Sequence, residues 1–311
     1  MWPAGEQGHV RKPLVGYVMA LAAGALFGVN GSVAKVALSS GLSSLRLTEA
    51  RCAGACLGLM LFAYARDRSS LRIRRDEVFR LALFGIGGVA LVQLFYFLAI
   101  HRLDIGIALL IQYLGPLLVA IYARTFAHEQ VRRRIWAALG LSLTGLALMV
   151  ELWKGIALDG LGVAFALISA VIFAAYLLLA EFEVKQRDAV SLMAWGFLFA
   201  TLFWTVAQPW WSFPAGRVGR TVSLQGHLAS WHLPVWALVL WVIVLGSIVP
   251  FSLIVGALRH ISATRVGIAA MLEPVVATVV AWAWLRETLS PVQLAGAFVV
   301  LAAILLAQTA R

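Results

Sequence analysis

The chain has 311 residues, 62% hydrophobic and 13% charged, with a mean hydropathy of +0.91, whereas an ordinary soluble domain is roughly 45–50% apolar and about 25% charged. A water-soluble fold cannot hide that much apolar surface, and runs of about 20 apolar residues, enough to cross a hydrocarbon core of about 30 Å, recur along the sequence. The net charge of +11 excludes little by itself, but the basic residues sit in short loops between apolar runs, not on one face interleaved with aromatic rings, so nucleic acid is not an expected partner.

Ten helices are expected, over 14–38, 44–65, 78–101, 105–125, 132–150, 160–180, 190–209, 234–258, 264–285 and 290–308. Residues 1–13 precede them. Arg11 and Lys12 resemble the start of a signal peptide, yet the apolar run behind them continues to about Leu38, well past the roughly 7–15-residue core of a signal peptide. An uncleaved spanning helix is expected.

The first helix reads ALFGVNGSVAKVAL, with Asn30, Ser32 and Lys35 among Gly24, Gly28 and Gly31. Glycines at that spacing let a neighbouring helix come close. Asn30 either bonds between helices or lines a solute path, and Lys35, near an end, has a stem long enough to reach headgroups. The second helix carries Glu49 and Arg51, which point to different faces and are not expected to pair with each other. A charge at a helix centre costs roughly 2.5–3.5 kcal/mol, so Arg51, about a turn and a half inside, should face the bundle interior or water. Glu49 marks the membrane boundary or carries a proton. Cys52 and Cys56, one turn apart, are poorly placed for a mutual disulfide and read as small apolar residues.

Gln93, Tyr96, Gln112 and Tyr113 on the third and fourth helices can hydrogen-bond a solute from an apolar wall, or serve as packing. Pro116, Pro250 and Pro274 lie inside helices; each removes an N–H and frees a carbonyl one turn earlier, which locates the expected site. Glu273, just before Pro274 and near the midplane, resists ionisation unless a cation is near, which suits it to carrying a proton. A bond to the backbone of the kinked region accounts for it equally. The long connection 210–233 reads as a plain loop, with a lid as the alternative, and carries Trp210, Trp211 and Trp231 at headgroup depth.

One unit is written twice. Tyr113 to Glu129 (YLGPLLVAIYARTFAHE) returns 158 residues later as Met271 to Glu287 (MLEPVVATVVAWAWLRE), and the same offset pairs Gly88 with Gly246 and Ala99 with Ala257. Two units of five helices, 14–151 and 160–309, enter the membrane from opposite sides, so the repeat is inverted. The fold expected is all-α: a polytopic membrane protein with ten transmembrane helices in two inverted five-helix repeats. Counting Lys and Arg on alternate sides gives seventeen against six, with Lys35 and Arg51 inside helices; both termini are therefore expected on the cytoplasmic side of a cell membrane. Glu129 and Glu287, at the ends of the two copies, read as structural, each capping the next helix or pairing with an arginine such as Arg286.

These motifs resemble the EamA-type transporters of the drug/metabolite transporter superfamily. The resemblance rests on Pro116 to Glu129 and Pro274 to Glu287, on Phe27-Gly28-Val29-Asn30 with Lys35, and on Arg51, and it covers nearly the whole chain. Phe27 stands where the family usually has tryptophan, and His128 precedes Glu129. The resemblance implies a central cavity and alternating access, with export of amino acids, related metabolites or toxic compounds; QYLGPLLVA is similar to amino-acid exporters of the group.

The expected function is secondary export of a small metabolite, with a small-molecule solute and the lipid bilayer as partners. A multidrug or other-metabolite carrier (nucleoside, sugar, cationic toxin) is the alternative within the fold. A lipid-modifying membrane enzyme is disfavoured, because the six histidines are scattered and no nucleophile–base pair, phosphate loop or metal-ligand cluster is present; no catalytic residue, metal or cofactor is expected. Monomer and homodimer both remain open, with the faces at Gly24 and Gly28 and at Gly54 and Gly58 expected to pack within one chain.

Overall fold

The computed structural model describes residues 12–153 and 159–309; Arg11, Lys154 and Arg311, which enter the charge count, and most of the segment 1–13 lie outside them. The described chain forms ten rods: α1 Pro13–Leu38, α2 Ser44–Arg66, α3 Arg75–Ile100, α4 Ile105–Thr125, α5 Arg133–Met149, α6 Gly160–Glu183, α7 Ala189–Ala207, α8 Val235–Ala257, α9 Ala263–Leu285 and α10 Pro291–Thr309. Eight are long and apolar enough to cross a membrane. The other two are α2, diluted by Arg46, Glu49 and Arg51, and α5, which has 17 residues. This is an all-α polytopic membrane protein.

Local chemistry fixes the ends. Pro13 opens α1, where its missing N–H is no loss. Ser43, Asp159 and Asp188 accept backbone N–H bonds at the starts of α2, α6 and α7, caps worth about 1 kcal/mol each. The connection from α7 to α8 is more ordered than its composition predicts, because Thr221–Ser223 and His232–Pro234 pair as a short antiparallel ribbon. Its Trp211 is 90% exposed.

Large apolar side chains such as Leu57, Phe62, Val171, Leu202, Phe298 and Leu305 point outward, each more than half exposed. In water they would form aggregating patches; in lipid they meet their solvent. The interior holds small residues and aromatic rings, among them Ala20, Ala55, Phe84, Phe197 and Trp204.

The two halves exchange helices. α1 packs against α8 and α9 of the second half, and α6 against α3 and α4 of the first, while α2 pairs with α7 and α5 with α10. Glycines make the close contacts. A Cβ on Gly28 would fall 2.7 Å from the Glu273 carbonyl oxygen, one on Gly145 2.8 Å from the Gly296 carbonyl oxygen, and one on Gly58 2.7 Å from Ile248. The small-residue faces of α1 and α2 are thus consumed within the chain.

Backbone irregularities follow the repeat. α4 is interrupted at Tyr113 and α9 at Met271, the same position in the two copies. α3 and α8 each contain a wider, π-helical stretch, Leu83–Leu91 and Val244–Ile248, around Gly88 and Gly246. At the far ends His128 (φ 55°) and Arg286 (φ 61°) are left-handed. The following amides, of Glu129 and Glu287, bond back to Ala123 (2.8 Å) and Ala281 (3.3 Å). The residue before each glutamate is therefore a helix-ending turn.

With ten antiparallel rods, the start of α1 and the end of α10 share one face, here the terminal face; the α7–α8 connection lies on the opposite face. At the terminal face Arg187 donates to Glu77 (2.9 Å) and to the carbonyls of Ser70 (2.7 Å) and Arg72 (2.9 Å). Arg80 Nε lies 3.1 Å from the buried Glu183 carboxylate. These ion pairs tie α3 of the first half to α6 and the α6–α7 turn of the second. At the opposite face a cavity of about 590 Å³ opens between α1, α4, α5, α9 and α10, reaching from Lys35 and Glu287 down to Gly31, Thr278 and Pro274. Ion pairs between the halves thus gather at one face, and a cavity opens at the other.

Candidate functional site

The site grows from the two helix breaks. Pro274 has no N–H to give the carbonyl of Ala270, so that acceptor is left free inside the bundle. Tyr113, at the equivalent break in α4, reaches across the half boundary: its hydroxyl lies 3.2 Å from the Ala270 carbonyl and 2.9 Å from Glu273 Oε2. The repeat places Met271 where the first half has Tyr113, and Gly115 where the second has Glu273. Backbone symmetry is kept while the chemistry is one-sided.

Arg51 from α2 and Tyr96 from α3 lie within the electrostatic reach of Glu273. Arg51 makes no hydrogen bond among the described residues, and its Nε is buried without an acceptor. Beside it a small cavity of about 90 Å³ is lined by Asn30, Thr48, Phe97 and Val242. Asn30 sits against Gly246, whose absent side chain makes room for the amide. Its Oδ1 is buried with no donor among the described residues. Arg51, Tyr96, Tyr113 and Glu273 thus converge from α2, α3, α4 and α9, with Asn30 of α1 adjacent.

Other candidates are placed elsewhere or turned away. Glu49 is fully buried but bound by Arg46 Nη1 at 2.7 Å. Arg46 also donates to Ser212 Oγ (2.6 Å) and the Pro209 carbonyl (3.3 Å), tying α2 to the α7–α8 connection. Gln93 Nε2 donates to Val89 of its own helix (3.1 Å) and leaves Oε1 without a partner. Gln112 is half-buried near the break and makes no hydrogen bond among the described residues. Pro116 touches Gly267 of α9, where small residues let the broken helices cross. Pro250 begins the α-helical stretch after the π segment of α8. Lys35 bonds Glu287 at 2.6 Å instead of reaching headgroups. Arg286 sits in a left-handed turn, and the adjacent Arg286–Glu287 pair considered from sequence gives way to the one between helices, Lys35–Glu287.

Sequence reading missed Tyr176 of α6. Its buried hydroxyl has no partner among the described residues, and its ring stacks between Phe84 (5.3 Å) and Phe173 (6.4 Å). A Cβ on Gly88 would strike Tyr176 as one on Gly246 would strike Asn30. The signal was present: an offset of 146 residues pairs Phe27 with Phe173 and Asn30 with Tyr176. The first helices of the two units are spaced differently from the fourth, so an ungapped comparison passes over them.

The sequence pattern of the EamA-like transporter family matches residues 14–151 and again 160–309. The chain belongs to that family. Among similar EamA-like chains, the threonine/homoserine exporter RhtA of Escherichia coli (strain K12) is 27% identical over 85% of this chain and 79% of its own. The RhtA of Salmonella typhimurium (strain LT2) is 26% identical over the same shares. An uncharacterized transporter of Archaeoglobus fulgidus is 28% identical over 68% of this chain and 70% of its own. A solved crystal structure with 17% identity superposes with a TM-score of 0.73, covering 94% of this chain and 96% of that one, which shows the shared fold.

Proposed function

We propose that this EamA-like protein is a secondary exporter of small amino acids, of the threonine and homoserine kind, working by alternating access between its two halves, and not an enzyme. The observation that carries the reading is the hydrogen bond from Tyr113 to Glu273 across the half boundary, at the two helix breaks and within the field of Arg51. A bond between halves at mid-depth can be exchanged for bonds to a solute, which couples binding to movement of the halves. The ion pairs at the terminal face and the cavity at the opposite face describe one end state of such a cycle.

The excess of Lys and Arg assigns the terminal face to the cytoplasm and the open cavity to the outside of a cell membrane. Solute release would then run past Pro274 and Thr278 toward Lys35 and Glu287. Glu273 is the proton carrier in this reading: it has a hydroxyl and a distant guanidinium for company, whereas Glu49 is locked to Arg46. A carboxylate that binds either a proton or an ammonium, but not both, exchanges one for the other.

The test is efflux from cells loaded with a peptide-derived amino-acid mixture, comparing the protein with empty cells and with Arg51→Ala at matched membrane expression. Selective release of threonine and homoserine, lost in the variant, is expected. Release no faster than from empty cells would overturn the amino-acid reading and turn the search to nucleosides, sugars or cationic compounds.

A further inference from the structure

Two groups in the interior have opposite charge, sit on opposite halves, and are left without a charged partner in contact. Arg51 belongs to the first half and has no hydrogen-bond acceptor among the described residues. Glu273 belongs to the second and, among the described residues, is bonded only by the Tyr113 hydroxyl at 2.9 Å. They sense each other's field but form no ion pair within bonding distance. Arg51 is half-buried, with its Nε closed off from solvent and without an acceptor; a guanidinium drawn partly out of water with nothing to bond is costly, which points to a ligand that completes it.

The small cavity of about 90 Å³ beside Arg51 has room for a few water-sized groups at about 30 Å³ each. That is the scale of a carboxylate head, not of a whole drug-like molecule. Its polar wall is the Arg51 fork, the Asn30 amide and Ser44, since the Thr48 hydroxyl is spent on the Ser44 carbonyl at 2.9 Å. A planar fork with five donors suits a carboxylate in a two-point contact. Beyond the wall of that cavity but within the electrostatic reach of Arg51, Glu273, with the Ala270 carbonyl freed by Pro274 and the Tyr113 oxygen beside it, offers acceptors that suit an ammonium with its three donors.

We infer that Arg51, with Asn30, holds the carboxylate of an α-amino acid while Glu273, with the freed Ala270 carbonyl, holds its ammonium, so that the zwitterion bridges the two halves. This rests on the transport reading above and gives it a recognition code. The side chain of the solute then extends into the apolar part of the site and is read loosely; the two charges are read strictly. Because each charge is held by a different half, a solute lacking either cannot join them.

The test uses the full chain, purified into lipid nanodiscs, with three probes: L-threonine, L-threoninamide, which lacks the carboxylate, and N-acetyl-L-threonine, which lacks the ammonium. Binding is read by calorimetry, and the same probes are used as competitors of threonine efflux. Each analogue is expected to bind about 10- to 100-fold more weakly than threonine, the worth of one charge-assisted contact left unpaired. In Arg51→Gln the advantage of threonine over threoninamide should vanish while that over N-acetylthreonine persists. Glu273→Gln should do the reverse. Analogues that bind within about threefold of threonine to the unaltered protein would overturn the inference and leave amino-acid export standing. Failure of threonine itself to bind or to leave cells would instead overturn the export reading, and the bridge with it. The comparison of probes on the unaltered chain does not depend on either variant folding.

Discussion

Gly28 and Gly31 lie three residues apart on α1, yet only one touches anything. A Cβ on Gly28 would stand 2.7 Å from the Glu273 carbonyl oxygen, 2.7 Å from Val276 Cβ and 2.9 Å from the Ala277 amide nitrogen, whereas one on Gly31 meets nothing within 4 Å. Two of the three obstacles to Gly28→Ala are backbone atoms of α9, which no rotamer change can move aside. Overpacking of this kind costs about 1–3 kcal/mol. Both Gly→Ala changes gain the same helix propensity, about 1 kcal/mol, so the difference between them isolates the contact. Gly31→Ala should be neutral or more stable than the parent, and Gly28→Ala should fall below Gly31→Ala by about 1–3 kcal/mol, a factor of roughly 5 to 150 in the folding equilibrium. Titration of each protein from mixed micelles into denaturing detergent measures this. Equal midpoints for the two would refute the packing of α1 on α9, and with it the exchange of helices between halves. Since the displaced carbonyl belongs to Glu273, Gly28→Ala should also slow efflux more than Gly31→Ala at matched expression.

Further predictions follow from separate features. Arg286→Gly should stabilise by about 0.5–1 kcal/mol, because a left-handed turn strains every residue with a Cβ, and Arg286→Val should destabilise; equal unfolding midpoints for the two would contradict the φ of 61°. Glu273→Gln should make efflux independent of external pH between about 5 and 8, where the parent is expected to depend on it; an unchanged pH profile would remove Glu273 as carrier. Glu183→Gln should cost about 1–2 kcal/mol, below the 3–5 kcal/mol of a fully buried pair because the Arg80 side chain is 36% exposed. It should also raise labelling of a cysteine placed at the terminal face, and unchanged labelling would exclude the pair as a seal. Lys35→Met should change stability by less than about 1 kcal/mol, because both side chains of the Lys35–Glu287 pair are at least half exposed; a larger loss of unfolding free energy would mean that the pair is stronger than its exposure allows.

Apolar run length was enough to read the ten helices, and the 158-residue repeat was enough to foresee that whatever happens at Tyr113 recurs at Met271. Rotation of each helix about its axis was not legible. A helix that is apolar all round has no polar face to fix which side meets lipid and which meets a neighbour, so the pairing of Lys35 with Glu287, 252 residues away, left no trace in the pattern. Glu49 was misleading for a related reason: its partner Arg46 is one turn away on the same face, but Glu49 was weighed only against Arg51. The convergence of Arg51, Tyr113 and Glu273 was foreseeable as three costly residues at depth, although not as one cluster. Tyr176 was hidden because a lone tyrosine in an apolar helix resembles ordinary packing until its hydroxyl is found unbonded.

The exchange of α1 and α6 between halves bears on how the chain is made. During synthesis the amino-terminal helices leave the ribosome first, but the surface that receives α1 is built from α8 and α9, which emerge some two hundred residues later. The first helix must therefore wait in the membrane with its glycine face uncovered, while α6 finds α3 and α4 already in place. Maturation then runs backwards for α1, whose docking is among the last events although its translation is among the first. Neither half can finish alone, and the two halves supplied as separate polypeptides would have to assemble before either reached its final shape.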